Sequence, residues 1–350
     1  MKSTTHHVVV WLAGIVVGTL GIALTSPLFV RSYVPRTFDS ARGVEVLQPG
    51  QSYRWRREGH ATTMIGPHGM MGRTSLPDTK RFTIALWGDS QAEGVCVPDE
   101  QKLWRQLQDR WNETEPIVEV LPLAQSGQTA VDWIAQMDAV ERNLSVDAHL
   151  ILLTEISDLA DSYNAITASE SPRKPPRPWM DVVPDFMVHA GRRLLIDPQT
   201  GTTRQLRFGW GPMDSAANDS NENSIMDPDD IVSVIQRLRQ ASSLPIWIAY
   251  APERPQLFYD RILLDDPQAA AVQELEIACQ SRGIVFIDVR QPLIDVAQED
   301  ATFPHGFHHG RIGSGHLNAT GYRVLSKTIA ARVDVQNTLL RRSDVREAVD

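Results

Sequence analysis

Two residues at opposite ends of the chain have the types and surroundings that hydroxyl activation needs. Ser90 stands in Gly88-Asp89-Ser90, directly after the apolar run FTIALW (82–87). Glycine at 88 lets the backbone turn sharply as it leaves a strand. The helix expected near residue 99 begins too far on for Ser90 to be its N-cap. His316 stands in the glycine-rich run GSGHLNATGYRVL (313–325), just before the last helical pattern. A strand-end hydroxyl and a loop imidazole that meet can act together, the imidazole removing the serine proton and returning it to a leaving group. Gly-Asp-Ser alone is also an ordinary turn, so the reading rests on the pair.

Whether the two meet depends on the elements between them. FTIALW (82–87), IVEVLPL (117–123), AHLILLT (148–154), LPIWIAY (244–250) and GIVFIDV (283–289) read as strands, the first buried and the third apolar throughout, as a central parallel strand should be. KLWRQLQDRW (102–111) puts Leu103, Trp104, Leu107 and Trp111 on one helical face. Further helices are expected over AVDWIAQMDAVERNL (130–144), from Pro228 behind an Asp227 cap to about Gln240, over about 267–281, and from Ala319 to Val333. This alternation predicts a parallel sheet with helices on both faces. Such sheets bind ligands beyond the carboxyl ends of their strands, the edge that Ser90 and His316 both reach. Residues 161–226 interrupt the rhythm with SPRKPPRPW (171–179) and DSAANDSNENS (214–224). Proline at that density propagates neither helix nor central strand. The segment reads as an irregular insertion, whether lid, substrate platform or tolerated loop. Residues 31–80 read as a lead-in with little apolar periodicity, and 336–350 as a loose charged tail.

The 350 residues are 42% hydrophobic and 22% charged, ordinary for a chain with a real core. A formal net charge of -9 argues against nucleic acid as partner. Two cysteines, Cys96 and Cys279, imply no disulfide framework, and Cys96 reads as a small buried apolar residue. Val8 to Val30 carries no charge and is long enough to cross a bilayer. Segment 1–30 is read as a retained anchor rather than a cleaved signal, because the run is long for a signal and ALTS is a weak cleavage site. The three histidines of HGFHHG (305–310) have no acidic or cysteine partner at recognisable spacing. They read as an exposed rim loop, and neither metal nor organic cofactor is expected. Trp104, Trp111 and Trp133 read as core, Trp179 and Trp210 as candidates for stacking on a sugar. Arg173, Lys174 and Arg177 read as a solvated face or an attraction for an anionic polymer or lipid head group.

Over about 82–335 the chain resembles the SGNH (GDSL-type) hydrolase family. GDSQAEG (88–94) resembles the first block, which implies that Ser90 is the nucleophile. GHLNATGY (315–322) resembles the last block, which implies that His316 is the base. QSGQT (125–129) matches the second block, whose glycine N–H helps bind the oxyanion; here that is Gly127. TEISDL (154–159) stands where the family has Gly-x-Asn-Asp, so Ser157 replaces the asparagine and Asp158 keeps the aspartate. The family's aspartate three residues before the histidine is Gly313 here. Asp288, at the end of the fifth strand, is the candidate to orient His316 instead. The resemblance implies a flavodoxin-like three-layer α/β sandwich over 81–335, with a parallel sheet of about five strands, behind an N-terminal transmembrane helix.

It also implies a serine ester hydrolase or acyltransferase without a cofactor. Ser90 would attack an ester carbonyl, while the N–H groups of Ser90 and Gly127 and the Ser157 hydroxyl receive the charge. Small acyl esters are the expected substrates, with O-acetyl groups of a cell-surface polysaccharide as the candidate glycan. Two other readings stay open: a binding or scaffold protein with little catalysis, which Gly313 and Ser157 favour, and a lipase or thioesterase. Lys2 precedes the apolar span while Arg31, Arg36 and Arg42 follow it, which by charge alone favours a cytoplasmic domain. An uncleaved signal-type anchor places the domain outside, the side the expected chemistry favours.

Overall fold

The computed structural model describes residues 2–76, 78, 81–113, 117–159, 187, 228–258, 261–335 and 338. Met187 apart, the 161–226 insertion with Trp179, Trp210, Arg173, Lys174 and Arg177 lies outside the described residues, as do the Asp227 cap and, save residue 338, the 336–350 tail. Helix α1 (Lys2–Thr25) opens the chain. The stretch Thr5–Leu28, with mean hydropathy 2.3, is long and apolar enough to cross a membrane, and its apolar core, unlike Ser26 near its end, is not buried against the rest of the protein.

The lead-in is more ordered than its sequence suggests. Strand β1 (Arg36–Asp39) pairs antiparallel with β2 (Val44–Leu47), and β3 (Ser52–Arg54) with β4 (Thr62–Met64). Strands of three or four residues are too short for alternation to show. Arg42 bolts this segment to the domain behind it. Its guanidinium is fully buried, donating to the carbonyls of His68 and Leu123 and twice to Gln136 Oε1. Burial pulls its pKa down to about 10, so it stays charged at neutral pH.

The main sheet follows with β5 (Phe82–Trp87), β6 (Val118–Pro122), β7 (Ala148–Leu153) and β8 (Ile246–Tyr250). A short antiparallel hairpin, β9 (Gln256–Phe258) and β10 (Arg261–Leu263), precedes the last sheet strand, β11 (Val285–Asp288). All pairings in the main sheet are parallel, in the order β11-β8-β7-β5-β6. Counted along the chain this is 5-4-3-1-2, the flavodoxin-like order. The chain leaves β5 in one direction and returns in the other, so a crevice opens between the carboxyl ends of β5 and β7. Every residue of β5 and β7 is buried, as expected of central strands covered on both faces.

The helices are α2 (Ser90–Glu93), α3 (Leu103–Trp111), α4 (Ala130–Leu144), α5 (Pro228–Ala241), α6 (Ala269–Gln280), α7 (Arg290–Glu299) and α8 (Ala319–Arg332). On one face of the sheet α4, α5 and α6 pack Trp133, Met137, Ile231, Ile235 and Leu275 against Ala85, Trp87 and Ile151. On the other, α3, α7 and α8 pack Leu103, Leu107, Leu293, Tyr322 and Leu325 against Ile84, Leu86 and Leu150. The period-two alternation of β5 therefore feeds two cores and fixes three layers. Trp104 and Trp133 are buried and Trp111 partly so, all within these cores. Helix α7 was not foreseen, since Leu293 is its only buried residue and Pro292 lies in its first turn, where proline is tolerated.

Candidate active site

Strand β5 delivers the chain to the crevice and the Ser90 turn follows at once. Asp89 caps α2, its Oδ1 accepting the Gln91 N–H at 2.9 Å. Ser90 is the first residue of that helix, partly exposed at the carboxyl end of β5. Its own N–H has no intrahelical partner, as for any first-turn donor. The run SQAE is too short to show helical periodicity, so α2 left no trace in the sequence.

His316 lies on strand β13 (Ile312–Leu317), paired with β12 (His305–Gly306), and not in the glycine-rich loop that was expected. The glycines at 313 and 315 hid a strand behind loop chemistry. Gln91 ties this strand to the Ser90 turn. Its Oε1 accepts the Leu317 N–H at 2.8 Å, and its carbonyl accepts the Tyr322 hydroxyl at 2.6 Å. His316 Nε2 stands 3.1 Å from Ser90 Oγ. His316 Nδ1 is hydrogen-bonded to the Glu58 carboxylate, and that bond holds Glu58 below the usual glutamate range. An ionised carboxylate only accepts, so Nδ1 carries the proton and Nε2 is left to accept from the serine. Trp55 stands edge-on to the imidazole, ring centroids 6.1 Å apart.

Glu58 sits in the loop between β3 and β4, which the Trp55 N–H closes onto the Ala61 carbonyl at 2.9 Å. It was missed in the sequence, where it falls in RREGH (56–60) with no periodic pattern and lies 258 residues from its histidine. Only the missing acid at 313 hinted that another had to exist. Asp288 does not fill that role. It ends β11 at the sheet edge, three strands from β5, or roughly 14 Å at about 4.8 Å per strand. Its carboxylate instead binds the Arg290 guanidinium and accepts the Arg290 N–H. Nor can residue 313 carry an acid. It has φ +76°, and a Cβ there would meet Leu257 N and Cβ at 2.9 Å.

The expected oxyanion donors differ in how they are held. Gly127 has φ +80° in a turn closed by the Gln128 N–H on the Gln125 carbonyl, 3.1 Å away. Its neighbour Ser126 gives both its N–H, at 3.0 Å, and its hydroxyl to Glu93 Oε2. Glu93 belongs to α2, so a buried carboxylate couples the Gly127 turn to the Ser90 helix. Ser157 is exposed and its hydroxyl donates to Glu155 Oε2 at 3.1 Å, a bond it must leave to serve an oxyanion. Beside it Asp158 is pushed up to about 8 by burial and by repulsion from Asp89 and Glu155. Burial raises Asp89 as well, and the Ser90 hydroxyl lies 3.3 Å from its Oδ2.

The histidine loop splits. His308 and His309 are exposed as expected, but His305 is buried in β12, with neither ring nitrogen hydrogen-bonded. Burial drives it down to about 3, which keeps it neutral. Among the described residues, Glu58, Cys96 and His316 are the donors that gather as a potential cation site.

No protein-family model matches the sequence, and no curated protein matches it. Among solved structures the chain is similar to an acetyl xylan esterase, AlAXEase, at 12% identity over 72% of this chain and 100% of that one, with a TM-score of 0.40. It is similar to a member of the lipolytic protein G-D-S-L family from Veillonella parvula at 13% identity, over 71% of this chain and 95% of that one, with a TM-score of 0.37. It is also similar to the psychrotrophic esterase EstA from Pseudoalteromonas sp. at 10% identity, over 73% and 98% of the two chains, with a TM-score of 0.38. The sheet order and the Ser90–His316–Glu58 geometry, not these likenesses, carry the fold and the site.

Proposed function

We propose that the chain is a serine ester hydrolase or acyltransferase of the SGNH type in which Glu58 supplies the acid of the triad. The observation that carries this reading is His316 between two partners, Ser90 Oγ at 3.1 Å from Nε2 and the Glu58 carboxylate on Nδ1. Ser90 attacks an ester carbonyl as Nε2 takes its proton, and Glu58 stabilises the imidazolium so formed. The N–H groups of Ser90 and Gly127 receive the negative charge, and the Ser157 hydroxyl adds to them once it turns from Glu155. The imidazolium then protonates the leaving alcohol, and water or an acceptor hydroxyl releases the acyl group. Small acyl esters fit this chemistry, with O-acetyl groups of a cell-surface polysaccharide as the candidate natural substrate. The apolar α1 serves as a single-pass anchor with the domain on the extracytoplasmic side. A scaffold role without catalysis loses one of its two supports, since an acid meets His316 despite Gly313.

Hydrolysis of p-nitrophenyl acetate by the wild type, Ser90→Ala and His316→Ala tests the proposal, together with fluorophosphonate labelling. The wild type is expected to turn over and to be labelled at Ser90, and both variants to fall to background. Equal rates in all three and an unlabelled Ser90 would reject it.

A further inference from the structure

Three donor groups of different chemistry converge beside the serine–histidine pair. Glu58 brings a carboxylate, His316 a ring nitrogen and Cys96 a sulfur, and these atoms lie within 4.8 Å of one another; Nδ1 is the ring nitrogen that faces Glu58. Cys96 belongs to the turn after α2, and the Glu58 loop presses on it. A Cβ on Gly59 would stand only 1.8 Å from the Cys96 carbonyl oxygen. The thiol is buried and has no disulfide partner, whereas the Glu58 and His316 side chains are each 20% exposed. An ion therefore reaches the cluster from their side. In a tetrahedral zinc site the donors stand about 2.0–2.3 Å from the ion and so about 3.5 Å from each other. A separation of 4.8 Å has to close by about 1.3 Å to match.

We propose that Glu58, Cys96 and His316 form an inhibitory site for a thiophilic divalent cation, with Zn2+ the best fit and water as the fourth ligand. The inhibitory part rests on the Ser90–His316 reading of the site. Sulfur, imidazole and carboxylate are the donors zinc takes, and three protein ligands with one open position suffice. On binding, the Cys96 thiol proton leaves to solvent and the thiolate ligates the ion. Nδ1 gives up its hydrogen to coordinate, and the neutral ring then carries a hydrogen on Nε2. In that tautomer Nε2 donates toward Ser90 and no longer accepts the serine proton. The Glu58 carboxylate is drawn into the same coordination. One ion thus removes the base and its support together and leaves the hydroxyl in place.

The full chain in detergent, stripped with chelator, is titrated with Zn2+ while p-nitrophenyl acetate hydrolysis is followed. A parallel titration with Co2+ uses the thiolate-to-cobalt absorption, which reports sulfur ligation without turnover. The wild type is expected to lose activity reversibly, with EDTA restoring it, and to show the sulfur band. Cys96→Ala is expected to hydrolyse the ester without metal, to show no band, and to need about 100-fold more Zn2+ for half-inhibition, since even an outer-shell loss costs about 10–100-fold in affinity. Cys96→Val, larger than the thiol where alanine is smaller, guards against a packing artefact and is expected to behave alike. Zinc inhibition equally strong in both variants, or cobalt binding without a sulfur band, overturns the site. A sulfur band in a chain with no esterase activity keeps the cation site and defeats the catalytic reading instead.

Discussion

Replacing Glu58 by glutamine is the sharpest probe of the site, because it removes a charge while keeping the shape. The side chains of Glu58 and His316 are each 20% exposed, so their interaction is screened as near a protein surface and not as in a dry core. With an effective dielectric constant near 20, two unit charges about 4 Å apart interact by about 4 kcal/mol. That energy is available only once the imidazole is charged, in the transition state, so it appears in kcat. At about 1.4 kcal/mol per tenfold it corresponds to about three decades. An amide also stabilises the wrong imidazole tautomer when its N–H faces Nδ1, and in serine proteases the equivalent change costs about 10⁴ in kcat. Glu58→Gln is therefore expected to lower kcat by about 10³–10⁴ with KM little changed. The assay is steady-state hydrolysis of p-nitrophenyl acetate, with a thermal melt to show that the fold survives. Glu58→Asp, which keeps the charge on a shorter arm, should recover part of the loss. The carboxylate is held below the usual glutamate range, so its support is present at neutral pH and fades only as pH falls through that depressed value. A folded Glu58→Gln enzyme within about tenfold of wild-type kcat, a deficit near 1.4 kcal/mol, would refute the assignment.

Other outcomes follow from the same geometry. Gly313→Asp, which puts an acid three residues before the histidine, should lower the melting temperature and fail to rescue Glu58→Gln. Its left-handed φ alone costs about 1–3 kcal/mol, and its Cβ collides with Leu257; a double variant with recovered activity contradicts this. Asp158→Asn should stabilise the protein at alkaline pH. The folded pKa of Asp158 is raised to about 8, so wild-type stability relative to the variant is greatest in acid and declines as pH rises through about 8. The difference is on the order of a few kcal/mol, and melting curves that stay parallel from acid to alkaline pH count against it. Glu93→Ala frees the Ser126 N–H and hydroxyl and loosens the Gly127 turn. It should lower kcat by about tenfold, some 1.4 kcal/mol of transition-state support, and an unchanged kcat speaks against Gly127 as an oxyanion donor.

What the sequence revealed divides along a physical line. The sheet strands were legible because each is a compact apolar run, the central ones buried on both faces, as in FTIALW and AHLILL, while the edge strand β11 is partly exposed. The helix over 130–144 was legible through the spacing of Trp133, Met137, Val140 and Leu144. Ser90 and His316 could be paired because both adjoin such elements. Glu58 could not be found this way. It hangs on a loop between two three-residue strands, and what brings it to His316 is the packing of the whole lead-in, including the buried Arg42. Strand β13 was hidden by its glycines, and His305 by an exposed-looking neighbourhood whose first residue turns inward. Asp288 was a reasonable choice by chain position, and only the strand order, which no local pattern encodes, put it at the far edge.

The order in which the ribosome makes the three groups has its own consequence. Glu58 emerges first and His316 last, with 258 residues of separation between them. Closing so long a loop costs chain entropy before the contact can repay it. Until β13 docks, the carboxylate has no imidazole to hold and the serine has no base. On the proposed reading, a nascent or truncated chain that stops short of the β12–β13 hairpin is chemically silent, and the site is assembled only when that hairpin closes against the loop that carries Glu58.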